Sequence, residues 1–315
     1  MKHSFEVSVI IPVYNRSDQL RVVLDGLCAQ IFDKQQMEVI ICDDGSTEEL
    51  RPVVAEYEDR LPCLQYLKQE NQGQAAARNM GTRHCHSDLV FYIDSDVLLD
   101  EQLVQQIVEA MKQNPDWVGA EAVVRPVGGE INVLWEAPIC EEGGVYLTAA
   151  LAFRRSVLTH VGGFDETFRQ AYEDGELAAR VLPLGPIGFV PEAIVEHPRR
   201  RRTLRMLWKK RKDWMHIVHL AQLHGFVGWP DRPTNWPKLR TLYSALCSFP
   251  AGRVLSAVSQ IPRSPKVGLQ AIGQAVFTFF CGVAAIPSVV TATPPKPQNY
   301  LLADTVSANL NKYAA

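Results

Sequence analysis

Leu89-Val90-Phe91-Tyr92-Ile93-Asp94-Ser95-Asp96 runs five apolar residues straight into two carboxylates one residue apart. The apolar part is rich in β-formers and reads as a strand buried on both faces. Aspartate is a poor strand former and costly to bury unpaired, so Asp94 and Asp96 mark where the strand leaves its sheet. In open α/β sheets, ligands sit outside that edge. A hard cation such as Mg²⁺ or Mn²⁺, linking Asp oxygens to substrate phosphates, suits such a pair. An Asx-turn leading into a helix over residues 100–112 accounts for the same residues without a ligand.

Upstream, strands alternate with helical patterns. Val7–Val13 is a continuous β-rich run ending at Tyr14-Asn15, and Ser17-Asp18 is placed to cap a helix carrying Leu20, Val23, Leu24 and Leu27. Residues 38–42 form a second strand ending in Asp43-Asp44-Gly45-Ser46, with Ser46 or Thr47 as cap of a helix opening at Glu48-Glu49. Residues 64–68 give a third strand and 89–93 the fourth. This βαβαβ order predicts a mostly parallel sheet wound with helices, with its functional loops along one edge. All four strands end in polar residues, as a ligand cleft requires. Neither GxGxxG nor GxxxxGK[ST] occurs, so phosphate neutralisation at such a cleft falls to a metal.

The chain has 315 residues, 47% of them hydrophobic, and a net charge of −3. That sum conceals a division. Residues 1–198 carry 15 Lys+Arg against 32 Asp+Glu, and residues 199–315 carry 17 against 3. The asymmetry predicts a boundary near residue 198, an α/β domain over 1–198 and a basic, mainly helical region over 199–315. Seven scattered cysteines without CxxC spacing argue against a disulfide framework or zinc cluster and for a reducing compartment. Met1-Lys2-His3-Ser4 leads into the first strand with no signal-peptide pattern.

Six stations in order, VSVIIPVYN (7–15), DDGS (43–46), NQGQAAARNMG (71–81), DSD (94–96), GGFDE (162–166) and EDGELAAR (173–180), resemble glycosyltransferase family 2, with its GT-A fold. The resemblance implies an inverting transfer from a nucleoside-diphosphate sugar, a UDP-sugar foremost, to a hydroxyl of a glycan or lipid-linked acceptor. It puts Pro12 and Tyr14 at the base pocket, with Asp44 and Asp43 toward base or ribose. Arg78 would reach the nucleotide or the acidic edge, unless it forms only a surface ion pair. Gly73 would suit a tight approach of backbone to ligand. Asp94 is implied on the ribose or sugar side and Asp96 on the metal, Mn²⁺ or Mg²⁺. Asp174 is implied as the general base that removes the acceptor's proton, with Glu173 orienting the acceptor or a neighbouring loop; both also suit the first turn of a helix. His197, just after the strand-like Ala193-Ile194-Val195, is a candidate further metal ligand or a structural histidine. Asp165, Glu166 and Trp135 are weaker candidates for acceptor or sugar contacts.

In the basic region, residues 199–212 read RRRRTLRMLWKKRK, nine of fourteen being Arg or Lys, with Leu204, Leu207 and Trp208 interleaved and Trp214 and Met215 just beyond. A basic amphipathic helix with tryptophans is expected to bind an anionic membrane surface. No nucleic-acid module surrounds it, so nucleic acid is not the expected partner. Residues 267–290 are apolar except for Gln270, Gln274, Thr278 and Ser288, long enough to cross or line a bilayer. Together these predict a peripheral enzyme at the cytoplasmic face of the membrane, with 267–290 as its candidate anchor. Two competitors stand. Nucleotidyl transfer to a sugar phosphate would need a glycine-rich loop that VIIPVYNRS (9–17) lacks. A catalytically silent membrane-recruiting module would have no need of Asp96 and Asp174.

Overall fold

A computed structural model describes residues 5–169, 171–211, 213, 216, 223, 249–262 and 264–291. Strands β1 (Val7–Val13), β2 (Met37–Asp43) and β4 (Leu89–Ile93) are buried at every position, and the two-residue period of a strand explains why. Val9, Ile11, Val39, Ile41 and Phe91 enter one core with Leu20, Val23, Leu24 and Leu27 of α1 (Ser17–Ala29) and Ile107 of α4 (Leu103–Gln113). Ile10, Ile40, Cys42, Val90 and Tyr92 enter a second core with Ala75 and Ala77 of α3 (Gln74–His84), Leu158 of α5 (Arg155–Val161) and Leu177 of α6 (Glu173–Val181). A sheet covered on both faces makes its strands continuous apolar runs. Helix α3 lies so close that a Cβ on Gly81 would fall 2.5 Å from Ile10 Cγ2.

With β3 (Leu64–Lys68), β5 (Leu98–Leu99), β6 (Gly119–Val127), β8 (Ala150–Arg154) and β9 (Ile187–Pro198), these strands build an eight-stranded α/β sheet in the order β3-β2-β1-β4-β8-β6-β9-β5. The first four strands are parallel, as expected. Beyond β4 the sheet is mixed: β8 is antiparallel to β4 and β6, β9 parallel to β6, and β5 antiparallel to β9. The winding reverses between β1 and β4, and such a switch point opens a crevice at the carboxyl ends of its strands. The β1–β4 ladder runs only from Ser8↔Val90 to Ile10↔Tyr92. Pro12, which has no N–H to donate, lies past its end.

Three helix starts differ from the sequence expectation. Helix α1 begins at Ser17 with no side-chain cap, and the Ser17 N–H goes to Glu48. No helix opens at Glu48; α2 is Arg51–Ala55. The reason is Asn15, whose side-chain oxygen accepts from the backbone N–H of Thr47 and of Glu48 and holds Ser46–Glu48 as a loop. The helix placed over 100–112 begins at Leu103, because Leu98-Leu99 pair with β9 and Asp100 turns the chain by accepting from Gln102 N.

The described residues fall into two compact units, one containing residues up to 127 and 138–198, the other 128–137 and 199–296. In the second unit β7 (Trp135–Glu136) pairs antiparallel with β10 (Arg200–Arg201). That pairing overrides helix formation at the start of the basic run, so α7 spans only Leu204–Lys210, N-capped by the Thr203 hydroxyl. Lys212, Trp214 and Met215 lie outside the described residues. The apolar run over 267–290 falls in one helix, Pro265–Thr291, with Pro287 inside it. By length and composition this helix is able to cross a membrane, and Leu269, Phe280 and Val290 are exposed on it. Residues 263 and 292–315 lie outside the described residues.

Candidate active site

Polar strand ends collect at the switch point. From β4, Asp94 is half-buried and Asp96 buried; from β9, His197 is buried. One ligand atom from each of the three lies within 4.8 Å of the others. His197 is an internal residue of β9, which runs on to Pro198, so its ring is fixed by the sheet. Its Nδ1 is 3.2 Å from the Pro198 carbonyl, an acceptor only, so Nδ1 carries the proton of that contact. In the neutral ring Nε2 is then a lone pair, and it faces Asp96 Oδ1 at 3.7 Å. Two acceptors aimed at each other fit a shared cation, and a ring N–H anchored on a backbone carbonyl is the usual support of a metal-ligating histidine. The donor set of two carboxylates and one imidazole fits Mn²⁺ or Mg²⁺.

Arg16, at the end of β1, reaches across the crevice and pairs with Asp96 Oδ2 at 3.0 Å. Burial pulls its guanidinium below the usual arginine value, and the Asp94 charge works the other way. The sequence reading passed over Arg16 because it sits in a helix start. The available signal was its position: a cation at one strand end beside two carboxylates at the next.

Arg78 is not a surface ion pair. It is 1% exposed and its guanidinium joins Glu173 Oε1 at 2.8 Å to Asp94 Oδ1 at 2.9 Å. Its cation also lies 5.6 Å from the centre of the Phe164 ring. Of the two branches expected for it, it takes the acidic edge. The Gln74 side chain gives Glu173 Oε1 a second donor. Arg78 Nε and Glu173 Oε2 are buried without a hydrogen-bond partner among the described residues. Burial raises the Glu173 carboxyl, against the pull of Arg78, and the neighbouring Asp174 adds to the rise. Asp174 follows in the first turn of α6, where its side chain accepts from Gly175 N at 2.8 Å. Burial raises it as well, with Gly175 N–H and Arg78 pulling down and the Asp94 charge pushing up. The left-handed Tyr172 (φ 70°) turns the chain into this helix.

Asp43 and Asp44 are bound up within the protein. Asp43 accepts from Ser46 N at 2.7 Å and the Tyr66 hydroxyl at 2.6 Å, with Lys68 at 3.4 Å. Burial raises it, but the bonds from Ser46 and Tyr66 and the Lys68 charge outweigh this and hold it below the usual aspartate value. Asp44 accepts from Gln69 Nε2, Gln72 N and Gly73 N, all within 2.8–2.9 Å, and so clamps the loop before α3. Gly73 packs against backbone: with φ +99°, its absent Cβ would lie 2.7 Å from Arg169 O. Pro12 is buried in β1, and the Tyr14 ring is exposed at the cleft edge. Trp135 belongs to the second unit.

Asp165 and Glu166 serve a loop. Asp165 accepts from Thr167, and Glu166 from Asn79, which also bonds both N–H and C=O of Phe164. Asn79 and Glu121 escaped the sequence reading. Glu121, 2% exposed, gathers the N–H groups of Gly144, Val145 and Tyr146. A glutamate in the apolar run GAEAVV (119–124) was the signal, since a buried carboxylate needs such donors.

Residues 8–164 match the family model "Glycosyl transferase family 2". Among curated relatives, validoxylamine A glucosyltransferase of Streptomyces hygroscopicus subsp. jinggangensis is 42% identical over 106 residues, 33% of this chain and 25% of the relative. The match thus spans about a quarter of that protein's length. Among solved structures, Staphylococcus aureus TarS 1-349 in complex with UDP-GlcNAc superposes with a TM-score of 0.60 at 16% identity, covering 90% of each chain. The mannosyltransferase PcManGT from Pyrobaculum calidifontis, in complex with GDP-Man and Mn²⁺, gives 0.55 at 18% identity over 92% of this chain and 88% of that one. These structural likenesses concern the fold. With the family match over 8–164, the ordered stations and the sheet that carries them, the chain belongs to glycosyltransferase family 2.

Proposed function

We propose that this protein transfers a sugar from a nucleoside-diphosphate sugar, a UDP-sugar foremost, to a hydroxyl of a glycan or lipid-linked acceptor, inverting the anomeric centre in one displacement. The observation that carries this reading is the buried Glu173–Arg78–Asp94 link, which brings the start of α6 to the carboxylates at the β1/β4 switch point. TarS in complex with UDP-GlcNAc and PcManGT in complex with GDP-Man and Mn²⁺ share the fold and support a nucleotide-sugar donor.

Pro12 and Tyr14 flank the base, with Asp43 and Asp44 shaping the loop beneath base and ribose. Asp94 lies on the ribose or sugar side. Asp96 and His197 hold the divalent metal, which when bound supplies positive charge against the charge developing on the diphosphate. Asp174 accepts the proton of the acceptor hydroxyl as its oxygen bonds to the anomeric carbon and the diphosphate leaves with the bonding pair. A carboxyl raised by burial is the better base for this step. Glu173 and Arg78 hold the first turn of α6 in place. The exposed apolar side chains of the Pro265–Thr291 helix and the basic run support work at an anionic membrane, at its cytoplasmic face.

The test is Asp174→Asn with a donor that turns over and its acceptor. Transfer should fall by about 10²–10⁴-fold, with donor binding unchanged, and the wild-type product should carry the inverted anomeric configuration by NMR. Wild-type transfer rates in the variant, or a retained configuration, overturn the reading.

A further inference from the structure

The second unit holds a cavity of about 400 Å³ whose wall combines two arginines with apolar surface. Arg202 and Arg253 line it, alongside Trp135, Ala271, Gln274 and Glu136. The backbone of Arg202 is pinned on both sides, its N–H donating to Leu134 O at 2.8 Å and its carbonyl accepting from Gln274 Nε2 at 2.7 Å. The guanidinium therefore springs from a fixed point. Its Nε is buried and has no hydrogen-bond partner among the described residues, and the same holds for Gln274 Oε1. Glu136, the carboxylate in the wall, receives Lys210 Nζ on its Oε1 at 2.6 Å and so divides its charge between that lysine and the two arginines.

Electrostatics agree with the geometry. Burial lowers both guanidinium groups, Arg253 to about 10 with Arg202 as its second cause, and Glu136 offsets only part of this. Arginine keeps its proton at neutral pH, so two cations share a partly desolvated space. An oxyanion in the cavity would accept the idle Nε–H of Arg202 and add a negative charge beside both guanidinium groups. Gln274 Oε1 offers an acceptor for a neighbouring hydroxyl, and Trp135 and Ala271 offer apolar contact.

We propose that this cavity binds a phosphoryl group, either on a phospholipid headgroup or on a soluble phosphate ester. Its chemistry needs guanidinium donors for the phosphoryl oxygens and a short apolar stretch beside them, and every residue that lines it belongs to the second unit.

The experiment uses the full chain. Flotation with phosphatidylglycerol vesicles, against phosphatidylcholine vesicles, probes the headgroup; thermal shift with inorganic phosphate and glycerol 3-phosphate probes the soluble source. Arg202→Gln/Arg253→Gln should weaken the response about tenfold. The exposed pair Arg205→Gln/Lys209→Gln should weaken it far less. Ala271→Leu, which fills the cavity and leaves both arginines, should reproduce the loss and guards against a fold defect in the double variant. A vesicle response without a soluble one assigns the headgroup, and a soluble response assigns the phosphate ester. The proposal is overturned if neither probe binds, or if the cavity variants bind like wild type while the surface pair loses binding.

Discussion

Arg78 donates to Glu173 Oε1 at 2.8 Å with both side chains buried, and the pair ties helix α3 to the start of α6. Removing one partner of such a pair strands a charge in low dielectric, which costs far more than the pair contributes. Arg78→Ala is expected to lower unfolding free energy by about 3–5 kcal/mol, measured by urea denaturation. A loss below about 1 kcal/mol would place this pair with ordinary surface ion pairs.

The acidic pair sets a pH dependence. Burial pushes Glu173 up to about 7 from the usual 4.5. A carboxyl with a raised folded value binds more protons folded than unfolded, so its stabilisation is full below the unfolded value and lost as pH rises through the folded one. Unfolding free energy should therefore decline between about pH 4.5 and 7, and Glu173→Gln should flatten that slope. Urea titrations at several pH values decide it, and an unchanged slope would assign the titration elsewhere.

Much of this was legible in the sequence. The strands over 7–13 and 89–93 are where their apolar runs placed them, because a sheet covered on both faces leaves an unbroken signature, and the half-buried strand over 64–68 pairs with β2 at the sheet edge. What was not legible depends on partners distant in sequence. Asn15 claims the N–H groups of Thr47 and Glu48 from 32 and 33 residues away, and so moves a helix start that local capping rules set at Glu48. Arg200 and Arg201 become a strand only because Trp135-Glu136 lies opposite. At the site, residue types were readable, but the direction of Arg78 was not: only the fold shows its guanidinium turned to Asp94 and Glu173.

Arg16 competes for the place of a cation at Asp96, 3.0 Å away. Arg16→Gln should tighten Mn²⁺ binding by roughly five- to tenfold, since a like charge beside a cation site opposes filling it. Calorimetric titration with metal alone, without nucleotide, gives the answer. Weaker Mn²⁺ binding in the variant would make Arg16 a support of the site rather than a competitor.

Gly73 holds φ +99° against Arg169 O while its N–H feeds Asp44. Gly73→Ala should cost at least about 1 kcal/mol, since alanine is strained at positive φ and has no room there. Thermal unfolding of the variant measures it, and a stabilised protein would mean that the loop relaxes freely.

The most direct test of a metal-assisted nucleotide-sugar site is calorimetric titration of UDP into the protein with Mn²⁺, repeated with Asp96→Asn, with GDP, dTDP and CMP as parallel ligands. One nucleotide class should bind the wild type only when metal is present, and Asp96→Asn should lose that binding by at least about tenfold. Binding of equal strength without metal, or in Asp96→Asn, would contradict the assignment of Asp96, and no binding by any nucleotide would contradict the transferase function itself.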